Sequence, residues 1–327
     1  MKKFLKIAAI TVSVLILAVA GLASYVKLAL PNVGPAPDIK IDATAQRIAH
    51  GDYLANHVLV CMDCHSTRNW NEFSGPPIEG TRGKGGDVFD KRIGMPGTYY
   101  AANITPSGIG HWSDGEIFRA VTTGVRKSGK AIFPIMPYQN YGQLDEEDIK
   151  DVIAYVRSLT PIENKVPQSE SEFPMSFILN TIPKKANIKP KPSPTDIIAY
   201  GKYMVTAASC AECHTPFVKG KFIDSLQFAG GRTFMFPAGM VTSANLTPDD
   251  KTGIGKWTKE DFMGRFKAYR DSSHMHIKVD INKEFNTPMP WTMFAGMKDE
   301  DLSAIYDYLR TLKPISQEIV KFQPYSK

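Results

Sequence analysis

Two short stretches hold every cysteine of this 327-residue chain, Cys61-Met-Asp-Cys64-His65 and Cys210-Ala-Glu-Cys213-His214. On a helical turn, two thiols three residues apart project to one side, and a histidine directly after the second sets an imidazole beside them. That combination is the attachment pattern of a c-type haem. Cys61 and Cys64 would add to the two vinyl groups and His65 would supply one axial ligand to the iron. Cys210, Cys213 and His214 repeat the arrangement, so the reading is two covalently bound haem c groups. Other uses of paired thiols fit poorly. A zinc ribbon places its second Cys-x-x-Cys nearby, and here the pairs are a whole domain apart. A thioredoxin-type pair sits in a βαβ pattern that this chain lacks. A disulfide inside Cys-x-x-Cys closes almost no loop and removes little unfolded-state entropy.

A six-coordinate iron needs a ligand on its other face. Met136, in Ile-Met-Pro-Tyr, and Met289, in Pro-Met-Pro-Trp, stand at equivalent places in the two halves, each followed by proline and an aromatic residue. Proline fixes the local backbone and withdraws a donor, which suits a loop presenting a sulfur atom to a dry pocket, and thioether ligation raises the potential. The expected metal ligands are therefore His65, Met136, His214 and Met289. His274 and His276 lie in an insertion special to the second half and read as loop residues. His111 is matched by Lys256, which argues against an obligatory ligand role. Arg232, in Ala-Gly-Gly-Arg-Thr-Phe, is a candidate partner for a haem propionate through its planar fork. Asn103-Ile-Thr105 and Asn245-Leu-Thr247 satisfy a glycosylation pattern, but their matched positions before proline read as structural turns beside the haem.

The elements that must position these residues are duplicated as well. The segment from Ile48 through His65 aligns with that from Ile198 through His214, the second having one residue fewer before its first cysteine. Ala101–Phe118 matches Ser243–Phe262, and Pro134–Ile162 matches Thr287–Ile315. Ser113-x-x-Glu116 and Thr258-x-x-Asp261 have the form of capping boxes that open short helices. Ile149, Val152, Ile153 and Val156, like Leu302, Ile305, Tyr306 and Leu309, repeat at helical spacing in the closing helix of each copy. Strand-like alternation is scarce, so the fold class expected is all-α, with room for two modest cores. Between the copies, residues 161–195 are rich in proline and lysine and favour an extended connection. Within them only residues 173–182 are apolar enough to dock on a domain surface.

The chain opens with Lys2, Lys3 and Lys6 before an uncharged run, Ile7 to Val26, long enough to span a bilayer. The flanking lysines keep the N-terminus in the cytoplasm and send the rest across the membrane. Retention as a signal anchor is the expectation, with Ala18-Val19-Ala20 as the alternative cleavage site. Half of the net charge of +6 lies in residues 1–43, so the remainder is close to neutral and gives no reason to expect nucleic acid.

The order of Cys-x-x-Cys-His, Asn-Ile-Thr-Pro with Gly-Ile-Gly-His-Trp, Met136-Pro-Tyr and the closing helix resembles the cytochrome c subunit of membrane-bound alcohol and gluconate dehydrogenases. The likeness runs from about residue 44 to residue 313 across both copies. It implies two tandem class-I-like cytochrome c domains behind an N-terminal transmembrane or signal helix. The expected division is a helix in 1–30, a linker in 31–43, a first domain in 44–160, the Pro/Lys-rich linker in 161–195 and a second domain in 196–327. It also implies electrons taken from a dehydrogenase partner and passed to an oxidase or another cytochrome, at the bacterial inner membrane with the domains in the periplasm. Such subunits typically have three haem domains, and this sequence has two copies. The competing reading is a dihaem redox enzyme, resembling a peroxidase or thiosulfate dehydrogenase, with one substrate-accessible haem; the insertion at His274 to Asp280 is the feature that leans that way. Under the first reading the chain has no catalytic activity of its own.

Overall fold

An apolar run with no internal breaker makes the first element. In the computed structural model, which describes residues 1–325, helix α1 spans Lys2–Leu28 and Val26 is its buried residue. By length and composition it can cross a membrane.

The first copy runs α2 (Ala45–Tyr53), a single π turn (Leu54–Val58), α3 (Cys61–Cys64), β1 (Val88–Phe89), β2 (Gly97–Tyr100), α4 (Pro106–Ile109), α5 (Asp114–Thr123), α6 (Tyr138–Tyr141) and α7 (Glu146–Ser158). The linker contributes β3 (Glu170–Ser171) and α8 (Met175–Ile178). The second copy runs α9 (Ile197–Ala207), α10 (Cys210–Cys213), β4 (Phe217–Val218), β5 (Lys221–Phe222), β6 (Thr233–Phe236), β7 (Gly239–Thr242), α11 (Lys259–Lys267), α12 (Ser272–Met275), α13 (Trp291–Phe294), α14 (Asp299–Arg310) and β8 (Phe322–Pro324).

Both capping boxes form. Ser113 and Glu116 exchange side-chain and backbone hydrogen bonds at the start of α5, and Thr258 and Asp261 do so at α11. In each copy the opening helix crosses the closing one, α2 on α7 and α9 on α14. A glycine allows the approach at both crossings. A Cβ at Gly51 would sit 1.9 Å from the Asp151 carbonyl oxygen, and one at Gly201 would sit 2.0 Å from that of Ala304. The π turn accounts for the length difference between the copies. The extra residue before Cys61 is taken up by widening one helical turn, which leaves α3 in the same place as α10.

The framework is mostly helical, at 41% of the chain, but the all-α expectation misses the connections. Among the described residues, eight strands of two to four residues form three antiparallel sheets, β1-β2-β3, β4-β5 and β6-β7-β8. Elements that short contain no alternation to read. The linker is correspondingly less free than expected, because Gly97 pairs with Ser171 and Thr98 with Glu170. Its apolar stretch also differs from expectation: residues 173–182 lie beside the end of α1, where Asn180 Nδ2 donates to the Val26 carbonyl at 3.3 Å. Buried apolar residues form one continuous cluster in place of two separate cores. It joins Val58, Met62 and Ile153 to Met204, Phe228 and Leu302.

Candidate functional site

Each Cys-x-x-Cys-His begins from a residue in the left-handed region, Val60 at φ 49° and Ser209 at φ 54°. Neither is glycine, so both positions carry strain held by the surrounding packing. After that reversal one turn of helix sets the two cysteines on one side. None of the four cysteines forms a disulfide, and burial pushes the Cys61 and Cys210 thiols up to about 12.

The histidines are fixed identically. His65 Nδ1 donates to the Ala102 carbonyl at 2.7 Å, and His214 Nδ1 donates to the Ala244 carbonyl at 2.8 Å. A carbonyl oxygen only accepts, so the proton is on Nδ1 and the lone pair is on Nε2. Burial lowers both histidine pKa values, against the opposing effect of the carbonyl bond, and favours the neutral ring. A neutral imidazole with Nδ1 tied to a backbone carbonyl is the form that binds a metal through Nε2. The donor set therefore fits a covalently attached haem in each copy.

The two carbonyls are themselves held by the Asn-x-Thr turns. Asn103 Oδ1 accepts from the Thr105 backbone and hydroxyl at 3.0 and 2.7 Å, and Asn103 Nδ2 donates to the Ile162 carbonyl at 2.8 Å. Asn245 and Thr247 do the same toward Ile315. Both asparagines are buried, as the structural-turn reading expects. The turns clip the chain after the closing helix to the segment that follows β2 or β7 and carries the histidine's acceptor.

Met136 and Met289 occupy matching turns. The carbonyl of each accepts from the backbone N–H two residues on, that of Tyr138 and that of Trp291, both at 2.8 Å. Both side chains are partly buried against the core cluster. Arg232 is engaged within the protein: its Nη1 donates to the Glu212 carbonyl at 2.6 Å and its guanidinium lies among the rings of Phe217, Phe222 and Phe234. His274 bonds Asp271, while His276 bonds Glu72 of the first copy at 2.8 Å. The insertion continues as a clamp there, with Phe73 N–H donating to Ile277 and Val279 N–H to Asn71.

Sequence reasoning missed how each attachment turn reaches the other copy's methionine turn. Asp63, inside the first Cys-x-x-Cys, pairs with buried Arg68 at 3.0 Å. Arg68 also donates to the carbonyls of Ser74 and Gly75. Ser74 in turn donates to the Met289 carbonyl at 2.5 Å and accepts from the Trp291 N–H at 2.9 Å. In the opposite direction, Glu212, inside the second Cys-x-x-Cys, accepts from Asn140 Nδ2 at 3.0 Å, just beyond the Met136 turn. Burial raises Asp63 to about 6 against the pull of Arg68, and Glu212 to about 7 against Arg232 and Asn140.

A second reciprocal contact lies behind the sites. Tyr53 donates to Asp301 Oδ2 and its hydroxyl accepts from the Lys298 N–H at 3.1 Å. The equivalent Tyr203 donates to Asp148 Oδ2 at 2.6 Å and accepts from the equivalent Asp145 N–H at 3.1 Å. The signal was available, because both tyrosines and both buried aspartates stand at matched repeat positions.

Comparison with known proteins agrees with this geometry. Residues 198–313 match the cytochrome c family. The chain is 27% identical to the cytochrome c subunit of a quinone-dependent alcohol dehydrogenase from Gluconacetobacter polyoxogenes, over 84% of this chain and 58% of that one. It is 28% identical to the gluconate 2-dehydrogenase cytochrome c subunit of Pantoea cypripedii, over 87% of this chain and 63% of that one. A dihaem c-type cytochrome of Cereibacter sphaeroides is 27% identical over 67% of this chain and 73% of its own length. The chain thus spans about three fifths of the length of the two dehydrogenase subunits. Residues 198–313 thus match the cytochrome c family, whose domains bind haem c covalently and carry electrons, in a chain similar over most of its length to cytochrome c subunits of dehydrogenases.

Proposed function

We propose that the chain is a membrane-anchored dihaem cytochrome c that accepts electrons from a dehydrogenase and delivers them to an oxidase or another cytochrome of the respiratory chain. The observation that carries this reading is the matched pair of histidines, each with Nδ1 held by an alanine carbonyl and Nε2 free to ligate. Residues 44–160 and 196–327 are the two haem domains. When bound, haem supplies an iron that changes oxidation state one electron at a time. Cys61, Cys64, Cys210 and Cys213 hold the groups covalently, His65 and His214 are the proximal ligands, and Met136 and Met289 close the other face.

With both faces closed by protein, substrate has no route to metal, which fits a relay better than an enzyme. The insertion that could have favoured an enzyme instead pins the second copy to Asn71–Phe73 of the first. The run Ile7–Val26 within α1 supports an anchor in the inner membrane with the haem domains in the periplasm.

Near-infrared magnetic circular dichroism of the oxidised protein tests the relay. A His/Met signature at both haems is expected, with Met136→Ala and Met289→Ala each altering one of them. A His/His or water-bound iron at either haem in the unaltered protein would overturn the closed-relay reading.

A further inference from the structure

We propose that linker residues 173–182 form a second membrane contact, seated in the interfacial layer of the bilayer leaflet where α1 emerges; the proposal rests on the reading of α1 as a retained anchor. The uncharged run Ile7–Val26 is close to the length needed to cross the hydrocarbon core, so Val26 falls at its far boundary and Lys27 just beyond. The linker is attached at that depth. Asn180 bonds the Val26 carbonyl, and Phe173 and Phe177 form a groove with Ala23, Ser24, Lys27 and Leu28.

The side chains presented there suit lipid. Phe173 is 86% exposed, Ile178 41% and Leu28 87%. The stretch is too short to span and has the length of an interfacial segment. Exposed Lys184 and Lys185 follow it, and with Lys27 they place positive charge where anionic headgroups would lie. The contact would also orient the first copy. β3 begins two residues before Glu172 and pairs with β2, the Glu172 N–H donates to the Pro96 carbonyl at 3.0 Å, and Glu172 pairs with Lys91 at 2.8 Å. The segment therefore follows directly on a strand of the domain's sheet, and its insertion would fix how the first copy faces the membrane.

Photocrosslinking of the full chain in vesicles of phosphatidylethanolamine and phosphatidylglycerol tests this. p-Benzoylphenylalanine is placed at Phe173, at Val14 within α1, or at Lys219 on the exposed β4-β5 turn, and adducts are read by mass. Lipid adducts are expected at positions 14 and 173, with about tenfold more at 173 than at 219, the partition expected for burying one aromatic side chain. Adducts at 14 with none at 173 would overturn the second contact and leave the anchor standing. No lipid adduct at 14 would overturn the anchor reading and this proposal with it. A protein adduct at 173 in place of lipid would show that a second copy covers the segment, and would also overturn it.

Discussion

Ser74 joins the two copies through one hydroxyl and one backbone conformation. Its φ of 67° turns the chain toward the second copy, where the hydroxyl both donates to Met289 and accepts from Trp291. Ser74→Ala removes the hydroxyl from that carbonyl and that N–H, which keep only their bond to each other, so a loss of about 1 kcal/mol is expected on chemical denaturation. On the proposed function, the same variant should change the ligand signature of a haem at His214 while leaving that of a haem at His65 unaltered, because Met289 is the turn it releases. An unchanged second signature would remove Ser74 from the site. The side chains proposed to hold haem stood out in the sequence because their chemistry is local: two thiols, an imidazole and a methionine before proline are recognisable wherever the chain goes. Ala102 and Ala244 were not, since every residue has a carbonyl and nothing in an alanine announces that a histidine will use it. Ser74 was hidden for a related reason, its partners Met289 and Trp291 being more than 200 residues away.

Among the elements, the paired helix crossings are the most sensitive. Gly51→Ala or Gly201→Ala drives a methyl group into the facing helix backbone, and a net loss of about 2 kcal/mol is expected after allowing for alanine's better helix propensity. Gly264, inside α11 with nothing within 4 Å of its missing Cβ, is the contrasting site. Gly264→Ala should raise stability by about 1 kcal/mol. A urea titration of the three variants checks both signs, and similar changes at all three would contradict the crossing geometry. Helix starts were readable from capping boxes, and the buried faces of α7 and α14 from their period. The sheets were not, because pairing of two-residue strands is decided by the fold around them. The π turn was half visible: the repeat showed the extra residue before Cys61, and only the structure shows where the helix absorbs it.

Across the whole molecule, the reciprocal tyrosine–aspartate contacts tie stability to alkaline pH. Burial, followed by the charge of the facing aspartate, raises the pKa of Tyr53 and of Tyr203. A phenol whose folded pKa is raised keeps its proton where the unfolded chain has lost it, so its contribution is complete below pH ~10 and is lost as pH rises beyond that. Tyr53→Phe and Tyr203→Phe should each cost about 1–3 kcal/mol at neutral pH, since a buried carboxylate loses a donor. The double variant should lose stability less steeply above pH ~10 than the unaltered protein. Denaturation midpoints from pH 7 to 11 check this, and parallel curves would show that the tyrosines do not govern the alkaline limb.

The exchange of Tyr53 with Asp301 and of Tyr203 with Asp148 also has the logic of a handshake between identical partners. Such a contact is self-complementary, so each half bears both the donor and the acceptor surface that the other half needs. Two free halves would meet only as often as their concentration allowed. Joined by one linker, they face each other at a local concentration that dilution cannot lower. Each half is then free to diverge, as His111 has from Lys256, without the risk of meeting the wrong twin.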